Sequence, residues 1–218
     1  MCRVPRVTSV RRTRVQRDVE CEVCREPLVD GACPCAVCRL PDRHFSHVYT
    51  VSDDAEEMWR LIYRYKYGEE KHLADDLGRR LVQFLEANRS ELGRFDLFAP
   101  VALYIGPRAV RLWDYLALIV EAAERIDDGW PFATDVITKV EPTGRFLGIG
   151  VEERRAIAEG ELRSALRVPT PERVEGKRVL VIDDAYSEGF TLREMARALQ
   201  QAGAAEVAGL VFARRKGA

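Results

Sequence analysis

The sequence has no cysteine after residue 38 and only five lysines against 29 arginines. It also has no long apolar run. The longest, Leu97 to Ile105, is nine residues and contains Pro100. A bilayer-spanning helix needs about 20 such residues, so no membrane span is expected. The opening MCRVPRV has no apolar core, which argues against a secretory signal and for the reducing cytoplasm. Neither sign of charge prevails: 34 Lys and Arg against 35 Asp and Glu leave a net charge of -1. That excludes a uniformly basic coat for nucleic acid, but not a local basic patch. No G-x4-G-K-[ST] segment occurs, so an ATPase is disfavoured. Gly148-x-Gly150 is too little for a dinucleotide fingerprint.

What remains is globular. The chain has 218 residues, 47% of them hydrophobic and 32% charged. That length fits one large domain, or one domain with something small attached. The cysteines favour the second. Five of the six lie between Cys21 and Cys38. Cys21-x2-Cys24 and Cys35-x2-Cys38 have the spacing of two zinc knuckles, because a two-residue spacer lets both thiolates turn onto one tetrahedral ion. Gly31 and Pro34 supply the reversal between them. The expected metal set is therefore Cys21, Cys24, Cys35 and Cys38 around structural zinc. Cys33 is a fifth thiol where zinc takes four, either a substitute for Cys35 or a bystander. His44 and His47 are nearby competitors. Residues 1–19 form an Arg-rich tail, either a phosphate-contacting arm or an unstructured extension. The excess of arginine throughout the chain favours the extension.

After the cysteines, Asp53 to Tyr67 carries Met58, Leu61, Ile62 and Tyr65 on one helical face, and Lys71 to Leu92 repeats the pattern. Leu97 to Ile105 reads as a buried strand that Pro100 is placed to end. Arg108 to Ile126 reads as a helix, Asp135 to Val140 as a strand and Val151 to Leu166 as a helix. Arg178 to Asp183 is an apolar strand, Thr191 to Ala202 a helix, and Glu206 to Ala213 the next strand. Such alternation predicts an α/β fold, a parallel sheet with both faces covered.

Val179 to Met195, VLVIDDAYSEGFTLREM, carries the chemistry. A buried strand ends in Asp183 and Asp184, a short loop follows, and a helix begins. Ligands of open α/β sheets bind at such strand ends, and free N–H groups at a helix start attract phosphate. Gly189 allows close approach of an anion, and Ser187 and Thr191 add hydroxyl donors. The carboxylates suit sugar hydroxyls or a magnesium ion. The arrangement fits a phosphorylated sugar with a metal.

This segment resembles the phosphoribosyl-pyrophosphate signature of type I phosphoribosyltransferases, an apolar strand, DD, two residues, TTGAT and a helix. The order of parts is similar to the ComF family, which joins a zinc ribbon to that fold. WRLIYRYKYGEEKHLADDL, residues 59–77, is similar to the family's LKY-x-G … LA-x-x-L pair, and Thr143, Glu153, Arg154 and Gly160 fall in its T-x-x-Q … ER-x-x-N segment. The resemblance spans roughly residues 20–213. It implies a tail at 1–19, a zinc ribbon at 20–48 and a type I phosphoribosyltransferase-like domain at 49–218. It also implies that Asp183 and Asp184 hold ribose hydroxyls, directly or through magnesium. Ser187, Glu188, Gly189, Phe190 and Thr191 would form the 5-phosphate loop, and Arg108 and Arg111 would face the pyrophosphate. The implied activity is transfer of phosphoribosyl to a nitrogen acceptor. The alternative is a non-catalytic protein of this fold that binds single-stranded DNA or a DNA-processing partner in competence. Glu188 stands where the family has Thr, Phe190 where it has a small residue, and Phe146 and Ile157 where it has Gln and Asn. A carboxylate beside a phosphate repels it unless it points away or meets a cation.

Overall fold

The computed structural model describes residues 20–52, 54–146 and 148–214. The Arg-rich tail lies outside the described residues. Six strands occur in chain order: β1 (Val48–Thr50), β2 (Leu97–Pro100), β3 (Thr138–Lys139), β4 (Leu166–Arg167), β5 (Arg178–Tyr186) and β6 (Glu206–Arg214). Four of them make one parallel sheet in the order β1-β6-β5-β2. Beyond β2, Phe132 forms a parallel bridge to Phe98 and extends the sheet by one short row. Val179 to Ile182 are fully buried at the centre, as expected of a strand covered on both faces.

The helices are α1 (Ala55–Tyr67), α2 (Leu73–Ala87), α3 (Arg89–Leu92), α4 (Tyr115–Ile126), α5 (Val151–Ile157), α6 (Arg163–Ala165) and α7 (Phe190–Gln201), with a π turn at Ala158–Leu162 joining α5 to α6. The side chain of Asp54 caps α1 by accepting from the Glu57 N–H at 3.0 Å. Helix α1 then buries Met58, Ile62 and Tyr65. Helix α2 buries Leu73, Leu77, Leu81 and Leu85, spaced by four. It passes so close to α4 that a Cβ on Gly78 would lie 2.8 Å from the Ala122 methyl.

Several expectations shift. The helix expected from Arg108 starts at Tyr115, where the Asp114 carboxylate takes the Leu116 and Ala117 N–H groups at 3.1 and 2.9 Å. The strand expected at 135–140 shrinks to two residues, antiparallel to β4 in a separate small sheet. The main strand does end at Pro100. The three-residue β1 carries too short a pattern to stand out in the sequence.

Glu194 on α7 is fully buried and bound on both sides, by Arg163 Nε at 2.8 Å and by Arg197 Nε at 2.8 Å. Burial works against its ionisation, but the two guanidiniums prevail and hold it below the usual carboxylate range. This cluster fixes α7, and with it the loop that α7 follows.

Candidate functional site

A cavity of about 1260 Å³ opens at the carboxyl ends of β2, β5 and β6. Its lining includes Asp183, Asp184 and the whole of Ser187–Thr191. Parts of α1 and the start of α4 face that loop across the opening.

Asp184 is held from two sides. Lys66, near the end of α1, places Nζ 2.7 Å from Oδ2, and the Tyr115 hydroxyl donates to Oδ1 at 2.9 Å. The Lys66 ammonium also sits 4.3 Å above the Tyr115 ring. Burial opposes ionisation of Asp184, yet Lys66 overcomes it and keeps the carboxyl below the ordinary range. Asp183 is pushed the other way, first by burial and then by the negative charge of Asp184. The two carboxyls are therefore pushed apart, Asp183 toward the neutral acid and Asp184 toward the carboxylate, as adjacent carboxylates in a low-dielectric site are.

Gly189 has φ +89°, the left-handed region that favours glycine. It breaks the chain direction between β5 and α7, so the N–H groups of the first turn of α7 face the cavity mouth without intrahelical partners. Phe190 is buried and belongs to the cavity lining. The Glu188 carboxylate is neutralised within the site. Oε1 lies 3.0 Å from Arg154 Nη2, and Oε2 accepts from the Ser187 hydroxyl at 2.7 Å. The cation that a carboxylate in this loop requires is thus Arg154, carried by α5.

Of the two arginines expected beside a pyrophosphate, Arg111 lines the cavity, its guanidinium 4.4 Å over the Tyr67 ring. Arg108 is exposed and outside that lining, with φ +64°. Lys139 and Arg145 also line the cavity. Lys66, Tyr115 and Lys139 carried no local signal as site residues. Lys66 does lie inside the YRYKYG stretch that matches the family pattern.

All five described cysteines are buried free thiols. The sulfurs of Cys21, Cys24, Cys33 and Cys38 lie within 4.8 Å of one another and could hold a metal ion. Tetrahedral zinc, with metal–sulfur bonds of about 2.3 Å, needs sulfurs roughly 3.8 Å apart, so this donor set fits it. This grouping includes Cys33 and shares Cys21, Cys24 and Cys38 with the expected set. Cys35 Sγ is in hydrogen-bond contact with the Cys24 and Cys38 thiols, and also lies 3.1 Å from the Glu188 carbonyl oxygen and 3.1 Å from the Tyr186 hydroxyl. His44 is turned to Gln200 at 2.9 Å, and His47 lies beside Tyr49.

A parallel sheet with carboxylates and a glycine-kinked loop at its carboxyl edge, preceded by a cysteine cluster, defines the class as a type I phosphoribosyltransferase-like fold behind a ribbon. Residues 127–218 match the phosphoribosyl transferase domain family. Within that class the chain is similar to DNA utilization protein YhgH. It is 27% identical over 218 residues to YhgH of Escherichia coli (strain K12), covering 95% of this chain and 92% of that one. The YhgH protein of Salmonella typhimurium is 26% identical over 217 residues, with the same coverage. Among solved structures, glutamine phosphoribosylpyrophosphate amidotransferase from B. subtilis is 26% identical with a TM-score of 0.37, over 63% of this chain and 25% of that one. Among the described residues, no helix is long and apolar enough to cross a membrane.

Proposed function

We propose that the chain binds phosphoribosyl pyrophosphate together with magnesium and transfers phosphoribosyl to a nitrogen acceptor in the cytoplasm. The observation that carries this reading is the β5–loop–α7 unit. Two carboxylates, a left-handed glycine and the start of a 12-residue helix line one cavity within nine residues of chain. The loop Ser187, Glu188, Gly189, Phe190 and Thr191 takes the 5-phosphate on its main-chain N–H groups. Asp183 and Asp184 take the ribose 2- and 3-hydroxyls. Arg111 faces the pyrophosphate, with Lys139 and Arg145 adding positive charge, while Arg108 is assigned by sequence order alone. Magnesium, when bound with the substrate, neutralises charge on the departing pyrophosphate. The bond from ribose carbon 1 to the pyrophosphate oxygen breaks as the acceptor nitrogen bonds to that carbon, and the electron pair leaves with pyrophosphate. The carboxylate pair favours the cation-like carbon between those events. Residues 20–48 act as a zinc ribbon and residues 49–218 as the phosphoribosyltransferase domain.

Calorimetric titration of zinc-loaded protein with phosphoribosyl pyrophosphate and magnesium tests this reading. One saturable site supports it, and no heat from folded protein refutes it. A second reading is favoured by the YhgH relatives and by the pairing of Glu188 with Arg154 inside the loop. It is a non-catalytic protein of this fold that binds single-stranded DNA or a DNA-processing partner. Salt-dependent binding to single-stranded DNA, lost on removing residues 1–17, would favour it.

A further inference from the structure

Glu188 fills the phosphate-type loop in the way that an anion does. Oε1 lies 3.0 Å from Arg154 Nη2, and Oε2 accepts from the Ser187 hydroxyl at 2.7 Å. A guanidinium and a hydroxyl are donors that phosphate oxygens take. Both Glu188 and Arg154 line the cavity beside Gly189 and Thr191, at the start of the 12-residue helix α7. Arg154 is 9% exposed and reaches the loop from α5. A cation so buried needs compensation. Among the described residues its ion-pair partner is Glu188, and its Nε is buried with no hydrogen-bond partner. The Arg163–Glu194 pair behind α7 is the contrast. There Nε and Nη2 grip both carboxylate oxygens at 2.8 Å, the two-pronged match that fixes an ion pair. Arg154 grips Glu188 through one nitrogen and keeps a donor unused beside the cavity. Glu188 in turn is not sealed in, because its side chain is 20% exposed against 1% for Glu194.

We propose that Glu188 is a built-in competitor for the anion site of this loop, and that Arg154 is the cation an incoming phosphate takes over. The inference rests on the phosphate-binding reading of the loop and adds how that binding is controlled. In the empty loop Glu188 compensates the buried Arg154 and keeps its guanidinium in place. An entering phosphate brings negative charge to a site that already holds a carboxylate, so Glu188 must turn out. Its partly exposed side chain has a way to solvent. The Ser187 hydroxyl and the Arg154 guanidinium then pass to phosphate oxygens. Lys139 and Arg145 line the same cavity and favour the exchange. Binding therefore costs the Arg154–Glu188 pair, and the loop holds phosphate less tightly than it would with a neutral residue at 188. Arg154 is a binding residue for the ligand, not merely the neutraliser of Glu188.

Calorimetric titration of the zinc-loaded full chain with inorganic phosphate, and then with phosphoribosyl pyrophosphate and magnesium, tests it. Wild type is compared first with Glu188→Gln, which keeps the shape and removes the charge. Glu188→Gln should bind both ligands roughly five- to tenfold more tightly. The Glu188→Gln/Arg154→Gln double variant should bind at least about tenfold more weakly than Glu188→Gln, because phosphate loses a charged donor. Glu188→Gln/Arg154→Lys keeps a cation and should recover part of that loss. If Arg154 served only to neutralise Glu188, its removal after that charge is gone would leave affinity unchanged. Equal affinity in Glu188→Gln and the double variant, both with the circular dichroism of wild type, would overturn the proposal. So would a folded Glu188→Gln that binds no more tightly than wild type, a comparison that leaves the buried Arg154 untouched. Absence of binding of either ligand, by wild type and by Glu188→Gln alike, would refute the phosphate reading itself. Binding indifferent to residues 188 and 154 would refute the competitor alone.

Discussion

The two walls of the cavity are built differently. One wall is β5, its loop and α7. It is buried, tied to the cysteine cluster behind it, and backed by the Glu194 ion cluster. The other is α1 with the segment from 101 to 114. It carries exposed Tyr63, Val110 and Leu112, the last 85% exposed, and 101–114 has no regular structure. The first wall holds its backbone groups in place before any ligand arrives, which lowers the ordering cost of binding. The second can change side chains at little cost to the fold. Recognition of a common sugar phosphate belongs to the first wall, and variation in what meets it belongs to the second.

Substitutions can break this contrast, beginning with the largest effect. Cys38→Ser removes a quartet ligand and the sulfur beside Tyr186. It should cost several kcal/mol, because the binding energy of a structural metal is folding energy. A fall in thermal midpoint and loss of zinc would check it. Glu194→Ala leaves two guanidiniums without their shared partner and should cost about 2–4 kcal/mol by chemical denaturation. Glu194 titrates below its ordinary value of 4.5 in the fold. Its contribution is therefore full above that value and lost as pH falls through the lowered one. The stability curves of wild type and variant should converge in acid. Glu188→Thr releases Arg154 and removes a negative charge from the loop. Affinity for phosphoribosyl pyrophosphate should rise by roughly five- to tenfold in titration, equivalent to about 1 kcal/mol. On the open wall, Leu112→Ala should change stability by no more than about 0.5 kcal/mol. A large loss there would mean that the two walls are not different in kind.

The same contrast explains what could be read from the sequence. The β5–loop–α7 unit is contiguous, so an apolar run, two acids, a glycine and a helical pattern state it outright. The clustered thiols were equally legible as a group. Which four hold a metal was not, because Cys33-Pro34-Cys35 offers two sulfurs that both reach the other thiols. The open wall misled. Val110 and Trp113 fit the apolar spacing of the helix that follows, but Val110 lies exposed and the helix waits for the Asp114 cap. Lys66 and Arg154 reach Asp184 and Glu188 from elements 118 and 34 residues away, so no local pattern marks their roles.

The central claim is that Asp183 and Asp184, with the loop behind them, form a sugar-phosphate site. Titration of wild type and of the Asp183→Asn/Asp184→Asn double variant with phosphoribosyl pyrophosphate and magnesium, at two pH values, tests it most directly. Asp183 is shifted toward its neutral form, so a ligand that binds the ionised pair competes with protons there. Wild-type affinity should therefore rise with pH, and the variant should bind at least about a hundredfold more weakly with no such rise. Equal affinity in the two proteins, with both folded and zinc-loaded, would contradict the account.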